Sequence, residues 1–388
     1  MDVIIFSAGY WGSVAVDRGD EYGYRALYVL DNAPEKWGSL VRGFEVVKPD
    51  DERLTEYKDA PVYICTRDDG ASDKVRNQLL ELGFTNLLHF RDLSATFGGT
   101  LGYLIDDDSP FHPRMHITTA VGCHIMCRYC PQAKFIAEYK KLGKDKPMKL
   151  SLDDFKRIAD KLPPNLRFTF AGWCEPFINK QTPEMIKYAY ESGRQISLST
   201  TLVGLTPEGL EMIKDVKYKL IVLHIPDDSD HSHIPVTDDY KKMLVKFLNS
   251  IQTDLFAYSV HAGMRDDIKE IVEASPHPMW NTMDEPFDRA GNLQDELVES
   301  TPFVDGPIKC MFFERDIQNN FNLLPDGSVA FCVMDMGLDF VVGNLLEQSF
   351  DEIYAGKVAN EIQRAFDDDS MKLLCRTCCY VCKTTAGV

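Results

Sequence analysis

Cys123-His124-Ile125-Met126-Cys127-Arg128-Tyr129-Cys130 places three thiols on one short stretch in a C-x3-C-x2-C spacing. Three soft sulfur donors this close together suit three corners of a cubane iron-sulfur cluster, because iron favours thiolate ligands. The fourth iron is then open to an exogenous ligand. Zinc competes for the same donors, but a structural zinc site takes four protein ligands, and His124 beside Cys123 has poor geometry to be the fourth. Met115-His116-Ile117-Thr118 reads as a strand just before the cysteines, which puts them on a loop at a strand's C-terminal end.

Downstream, short strands and helices keep alternating. Leu166-Arg167-Phe168-Thr169-Phe170, Ile196-Ser197-Leu198-Ser199 and Leu220-Ile221-Val222-Leu223 read as strands, with helices over 152–162 and 183–193 between them. Such repeated βα units over roughly 180 residues predict a complete or partial parallel barrel, with its chemistry at the C-terminal ends of the strands. No repeat of 20 to 50 residues is present in the chain.

Upstream, Val3-Ile4-Ile5-Phe6, Ala26-Leu27-Tyr28-Val29-Leu30, Val62-Tyr63-Ile64-Cys65 and Leu87-Leu88-His89-Phe90 alternate with helical stretches. They predict a small doubly wound parallel sheet over residues 1–100. Ser7-Ala8-Gly9-Tyr10-Trp11-Gly12 fits a G-x-G-x-x-G nucleotide loop at its second and third glycines, with Ser7 at the first, and Asp31 stands where a ribose-binding acid would sit. A dinucleotide or sugar-nucleotide site accounts for these residues, and so does a scaffold whose glycines only permit a tight turn. The stretches 31–38 and 78–83 resemble the Rossmann-like N-terminal modules of some polysaccharide-biosynthesis proteins. An acidic, glycine-containing stretch over 97–108 reads as a linker into the second domain.

The 388 residues suggest two or three domains at roughly 100 to 200 residues each. Lys plus Arg is 42 and Asp plus Glu is 60, a formal charge of −18, and the hydrophobic share is 44%. That composition is globular rather than disordered, and its charge opposes general nucleic-acid binding, which depends on Lys and Arg neutralising phosphates. No run of 18 apolar residues occurs and Met1-Asp2-Val3 lacks a positive n-region, so the expectation is a cytoplasmic protein without a membrane span. Clusters among eleven cysteines in such a chain point to metal or redox chemistry more than to disulfides.

The triad, with Tyr129 before its last cysteine, resembles the signature of the radical SAM superfamily. That resemblance implies a partial (β/α)6 TIM-like barrel over 101–300, a 4Fe-4S cluster on Cys123, Cys127 and Cys130, and S-adenosylmethionine (SAM) bound through its amino and carboxylate groups to the open iron. One electron, from a reductant such as flavodoxin or ferredoxin, then yields methionine and a 5'-deoxyadenosyl radical. Ala171-Gly172-Trp173-Cys174-Glu175-Pro176 is similar to the family's G-G-E-P segment, which implies contacts from Gly172 and Glu175 to the methionine ammonium. Ser199 and Thr201 occupy the place of ribose contacts, although ordinary threonine use in strands explains them too. Arg289-Ala290-Gly291-Asn292 resembles a late segment whose Arg pairs with a carboxylate, and a surface salt bridge explains it equally. Tyr129 completes the expected cofactor contacts.

Residues 301–388 hold six cysteines and a hairpin-like turn at Leu324-Pro325-Asp326-Gly327-Ser328-Val329-Ala330. Cys310, Cys332, Cys375 and Cys378, with 21, 42 and 2 residues between neighbours, resemble the SPASM or shorter twitch extensions of radical SAM enzymes. A seven-cysteine SPASM domain holds two clusters. Six cysteines imply one auxiliary 4Fe-4S cluster, with Cys379 or Cys382 as alternative ligands and a structural zinc site as the competing reading.

His224-Ile225-Pro226-Asp227-Asp228-Ser229-Asp230-His231-Ser232-His233 follows a strand, where substrate residues belong, although a solvated acidic loop has the same composition. His224, Asp227 and Cys174 are the candidate catalytic groups, with an inert buried thiol as the other reading of Cys174, and His261 on a later strand is read as a further lining residue or a satisfied core histidine. An auxiliary cluster that accepts a second electron makes the net reaction a two-electron oxidation, and a Rossmann-like rather than winged-helix N-terminus favours a small sugar, cyclitol or nucleotide-linked substrate. A peptide maturase or protein-activating enzyme, and a non-catalytic iron-sulfur or zinc-stabilised binding protein, remain as alternatives.

Overall fold

Val3, Ile4, Ile5 and Phe6 are all buried, and their alternation divides them: Val3 and Ile5 enter one apolar cluster, Ile4 and Phe6 another. A strand covered on both faces needs such an unbroken apolar run. In this computed structural model the described residues are 1–8, 12, 15–16, 19, 24–65, 69–89, 114–143, 145–164, 166–277, 282–283, 288–296, 298–310, 320–354, 356–367 and 371–383. The chain forms two compact units, Met1–Tyr103 and Leu104–Val388. The fold is mixed α/β with parallel sheets in both.

The first unit holds β1 (Asp2–Phe6), β2 (Arg25–Leu30), β3 (Leu40–Val41), β4 (Phe44–Val47), β5 (Val62–Ile64) and β6 (Leu87–His89), in the order β3-β4-β2-β1-β5-β6. Every pairing is parallel except β3 with β4. Gly9, Tyr10 and Trp11 of the glycine-containing loop, and the stretch read as a linker over 97–108, lie outside the described residues. Of the rest of that loop, Ser7 adopts φ 117, a region that favours glycine, so the position of the motif's first glycine keeps a glycine-like backbone. A Cβ on Gly12 would stand 1.6 Å from the Ser7 carbonyl oxygen. Asp31 is engaged within its own unit: its carboxylate accepts from the Ala8 and Ala33 amides at 2.7 and 2.9 Å and from Lys36 Nζ at 3.1 Å. These bonds fasten the end of β2 to the loop after β1.

The second unit is built on a nine-stranded sheet in the order β12-β11-β10-β9-β8-β7-β14-β15-β16. Strands β7 (Arg114–Ile117), β8 (Arg167–Phe170), β9 (Ile196–Thr200), β10 (Lys217–His224), β11 (Gln252–Ser259) and β12 (Thr282–Met283) follow one another in parallel. His261 lies two residues past β11, not on a strand. The helices Leu152–Ala159, Pro207–Ile213 and Asp238–Ser250 begin where Ser151, Thr206 and Thr237 accept a backbone N–H from the first turn. One sheet face packs Met115, Ile117, Phe168, Phe170, Ile196 and Leu198 into the main core. On the other face His116 stands opposite Thr169, and Thr169 opposite Ser197.

Residues 104–388 form one compact unit, and the segment from 301 lies within it. The reason is strand pairing. Strand β14 (Asn320–Leu323) adds in parallel to β7, with Asn320 opposite Arg114 and Asn322 opposite His116. Then β15 (Ser328–Ala330) and β16 (Val341–Asn344) extend the sheet as antiparallel hairpins. A two-stranded ribbon of β13 (Ile308–Cys310) and β17 (Val381–Lys383) brings the last cysteine-rich segment beside Cys310.

Arg376 locks this region. It is 1% exposed and donates to the carbonyls of Val304, Gly306 and Ala365 at 3.0, 2.8 and 2.8 Å. Arg376→Met leaves three carbonyls without this donor and is expected to destabilise the second unit by about 3 kcal/mol. A thermal-unfolding midpoint equal to wild type would refute this.

Candidate active site

The loop that carries the cysteine triad leaves the C-terminal end of β7 and turns through left-handed backbone at Gly122 (φ 93) and Met126 (φ 51). Cys127 Sγ donates to the Ser232 carbonyl at 3.1 Å, and the Arg128 amide donates to the His231 carbonyl at 2.8 Å. The Arg128 guanidinium reaches Asp295 and Glu296 at 3.0 and 2.7 Å. The triad loop is therefore tied to the loop after β10 and to the segment after β12. Burial pushes all three thiols up, Cys127 to about 12 and Cys130 to about 11. An anionic form here requires positive charge from a bound metal core.

Across β7–β8, the stretch 171–176 closes against Thr118. Gly172 is left-handed (φ 61), and a Cβ there would come within 2.1 Å of Thr118 Oγ1. Thr118 Oγ1 accepts from the Trp173 amide at 3.1 Å, and the Trp173 indole donates to the Val333 carbonyl at 2.7 Å. Cys174 Sγ stands 3.7 Å from Thr119 Oγ1, and burial raises its thiol to about 12.

Glu175 is 4% exposed and accepts four hydrogen bonds. One carboxylate oxygen takes Thr200 Oγ1 at 2.8 Å and the Phe177 amide at 3.1 Å, and the other takes the Thr201 amide at 2.5 Å and Thr201 Oγ1 at 2.7 Å. Burial raises its pKa while these donors oppose the shift. All four acceptor sites of the carboxylate are engaged within the protein, so this side chain positions the end of β9. Ser199, half-buried, precedes that end.

After β10, Asp227 accepts from the amides of Ser229, His231 and Ser232 at 3.2, 2.8 and 2.8 Å. These bonds keep its pKa low against the opposing effect of burial. Asp227 is thus a buried loop anchor. His224 ends β10, and burial holds it near pKa 3, hence neutral. His261 packs its ring on Tyr129 with centroids 3.9 Å apart, and burial lowers it to about 4. Arg289 and Ala290 are both left-handed, and Asp288 holds the turn by accepting from the Ala290 and Thr301 amides at 3.1 and 2.8 Å. The positive charge of Arg289 acts on Cys130, His224 and His261.

The second thiol cluster surrounds a cavity of about 190 Å3 lined by Cys310, Cys332, Cys375 and Cys378. Cys379 is not among the lining residues, and the Cys382 side chain lies outside what the structure describes. Arg114, His116, Lys309, Asn320 and Tyr380 complete its polar lining. Asn320 and His116 carry no motif in the sequence. The signal for Asn320 is its alternation with Asn322 along an otherwise apolar strand. Among the described residues no three His, Cys, Asp or Glu side chains converge on a point for a single metal ion. A cubane takes one thiolate per iron, so its ligands spread around a core and do not converge.

Residues 117–253 match the radical SAM superfamily, and residues 310–379 match SPASM, an iron-sulfur cluster-binding domain. No curated protein matches the chain. Among solved structures, BtrN in complex with AdoMet and 2-DOIA is 14% identical, with 66% of this chain and 87% of that chain covered and a TM-score of 0.40. SuiB of Streptococcus suis bound to the precursor peptide SuiA is 12% identical over 80% of this chain and 74% of that one, with a TM-score of 0.48. Native anSMEcpe with bound AdoMet is 14% identical over 68% and 86%, with a TM-score of 0.40. The two matched domains imply a 4Fe-4S cluster, SAM and auxiliary iron-sulfur binding.

Glu175→Gln turns one acceptor oxygen into a donor facing a backbone N–H, leaving a buried donor unpaired at about 1–3 kcal/mol. The metal-free variant is expected to melt earlier than metal-free wild type; an unchanged midpoint would show that Glu175 does not position β9.

Proposed function

We propose, for a chain that carries a radical SAM domain and a SPASM domain, that it cleaves SAM reductively and uses the resulting radical on a small hydroxyl-bearing substrate. The substrate is of sugar, cyclitol or nucleotide-linked type, and the outcome is oxidation or epimerisation. The observation that carries this reading is the gathering of four thiols, 68 positions apart at their extremes, around one cavity in the unit that also bears the triad loop. Cys123, Cys127 and Cys130 would hold the SAM-cleaving cluster, and Cys310, Cys332, Cys375 and Cys378 one auxiliary cluster. When bound, the first cluster supplies the electron that breaks the SAM sulfonium and the second a place for the substrate's other electron.

The chain's own residues then bind and orient. The glycine at 172 lets the 171–174 backbone close on Thr118 and offers its carbonyls to the methionine ammonium. Glu175 holds Thr200 and Thr201 for the ribose, with Ser199 beside them, and Arg289 pairs with a carboxylate. Neutral His224 and His261 accept or donate hydrogen bonds without adding charge. The polar sheet face of His116, Thr169 and Ser197 supports a hydroxyl-rich ligand over an apolar one. Cys174 stays a protonated thiol, available as a hydrogen donor.

The same reading takes residues 1–100 as a Rossmann-like unit, supported by a parallel order that steps outward from β1 on both sides. It takes 101–300 as a partial radical SAM barrel and 301–388 as the SPASM extension. Flavodoxin or ferredoxin is the class of reductant.

Anaerobic reconstitution of wild type and of the Cys123/Cys127/Cys130→Ala variant tests it. About eight irons are expected in the first and about four in the second, with dithionite-driven SAM cleavage lost in the variant. Zinc in place of iron, or cleavage that survives the triple substitution, would sink the reading.

A further inference from the structure

The structure joins the four-thiol cavity to the polar face of the parallel sheet through two side chains that no motif marks. Asn320, 9% exposed at the start of β14, points its Nδ2 at Cys332 Sγ, 3.0 Å away. Its Oδ1 lies 3.0 Å from His116 Nε2 on β7. An amide oxygen only accepts, so His116 carries its proton on Nε2 and donates it. The Nε2–H tautomer of His116 and an Asn320 amide with its NH2 toward the sulfur therefore go together. The Met334 amide adds a longer N–H contact to the same sulfur at 3.5 Å. Both Asn320 and His116 line the cavity with the four thiols.

The geometry points to Asn320 as the residue that sets the reduction potential of the auxiliary cluster, with His116 as the positioning residue that keeps its NH2 toward Cys332. This rests on the proposed function in one respect, that the four thiols hold a cluster. An N–H donated to a cluster thiolate withdraws electron density from it, stabilises the reduced and more negative state, and so raises the potential. Without the His116 N–H the amide is free to turn its oxygen toward the sulfur, which works in the opposite sense. A carboxylate at 320 offers no donor and adds negative charge.

The experiment uses the full chain in the Cys123/Cys127/Cys130→Ala background, so that a single cluster remains, and follows its reduction by EPR-monitored redox titration. Asn320→Leu is expected to lower the potential and Asn320→Asp to lower it further, with iron content unchanged at about four per chain. His116→Phe lowers it while Asn320 is intact, and His116→Gln, whose amide restores an N–H to Asn320 Oδ1, returns it toward the parent value. This pair carries the test if a substitution at 320 costs the cluster itself. Equal potentials in the parent, His116→Phe and the position-320 variants would overturn the inference and leave the cluster assignment standing. A background variant that takes up no iron would overturn both.

Discussion

The parallel pairing of β14 with β7 is the constraint on which the second unit depends. Strand β7 has two duties: its C-terminal end launches the loop of Cys123, Cys127 and Cys130, and its body contributes Arg114 and His116 to the four-thiol cavity. Side chains alternate between faces along a strand, so a slip of one residue in this pairing would turn Asn320 and Asn322 into the apolar core and bring Phe321 to the polar face. Register, more than any single contact, keeps the two groups of thiols in a fixed relation. Thr118 Oγ1 donating to Asn322 Oδ1 at 2.9 Å reinforces it just past the end of β7.

A second constraint acts along the C-terminal edge of the sheet. The loops after β7, β8, β9 and β10 are each irregular, yet they are bound to one another rather than to solvent. Glu175, after β8, holds the end of β9, and Ser232, after β10, accepts from Cys127 after β7. Buried polar groups of this sort specify one arrangement because each broken bond leaves a donor or acceptor without water. The protein's own hydrogen bonds thus fix the edge, and Glu175 in particular spends its carboxylate on the end of β9.

The triad could be read from spacing alone, because three thiols within eight residues are a local fact and the strand before them has a plain apolar alternation. Strands β8, β9 and β10 were legible for the same reason. What stayed hidden depends on distance in sequence. His116 and Asn320 are 204 positions apart, and nothing in either neighbourhood announces the partner. The C-x2-C pairs at the C-terminus were ambiguous because Cys378 and Cys379 are adjacent; their thiols stay within hydrogen-bond reach of each other, and of the two Cys378 lines the cavity beside Cys375. Asp31 shows the reverse limit. Its position at a strand end suits a ribose, but position does not show that the Ala8 and Ala33 amides and Lys36 already occupy its oxygens. His261 was placed on a strand because its neighbours are β-prone, whereas β11 ends at Ser259 and the ring turns back onto Tyr129.

Charge completes the picture. The chain carries −18 overall, and a cluster held by four thiolates is itself anionic, so its burial in such a protein is opposed unless the local field differs from the global one. It does differ. Arg114 and Lys309 are the charged side chains in the lining of the four-thiol cavity, and Asn320 presents the positive end of its amide to Cys332. The lining carries none of the acidic surplus, and exposed ion pairs such as Arg157 with Asp154 and Lys357 with Glu361 add no net charge, are screened by solvent and count for little at the cavity. Net charge therefore governs what the whole surface attracts, while two cations and one oriented amide govern what the cavity can hold and how readily it takes an electron.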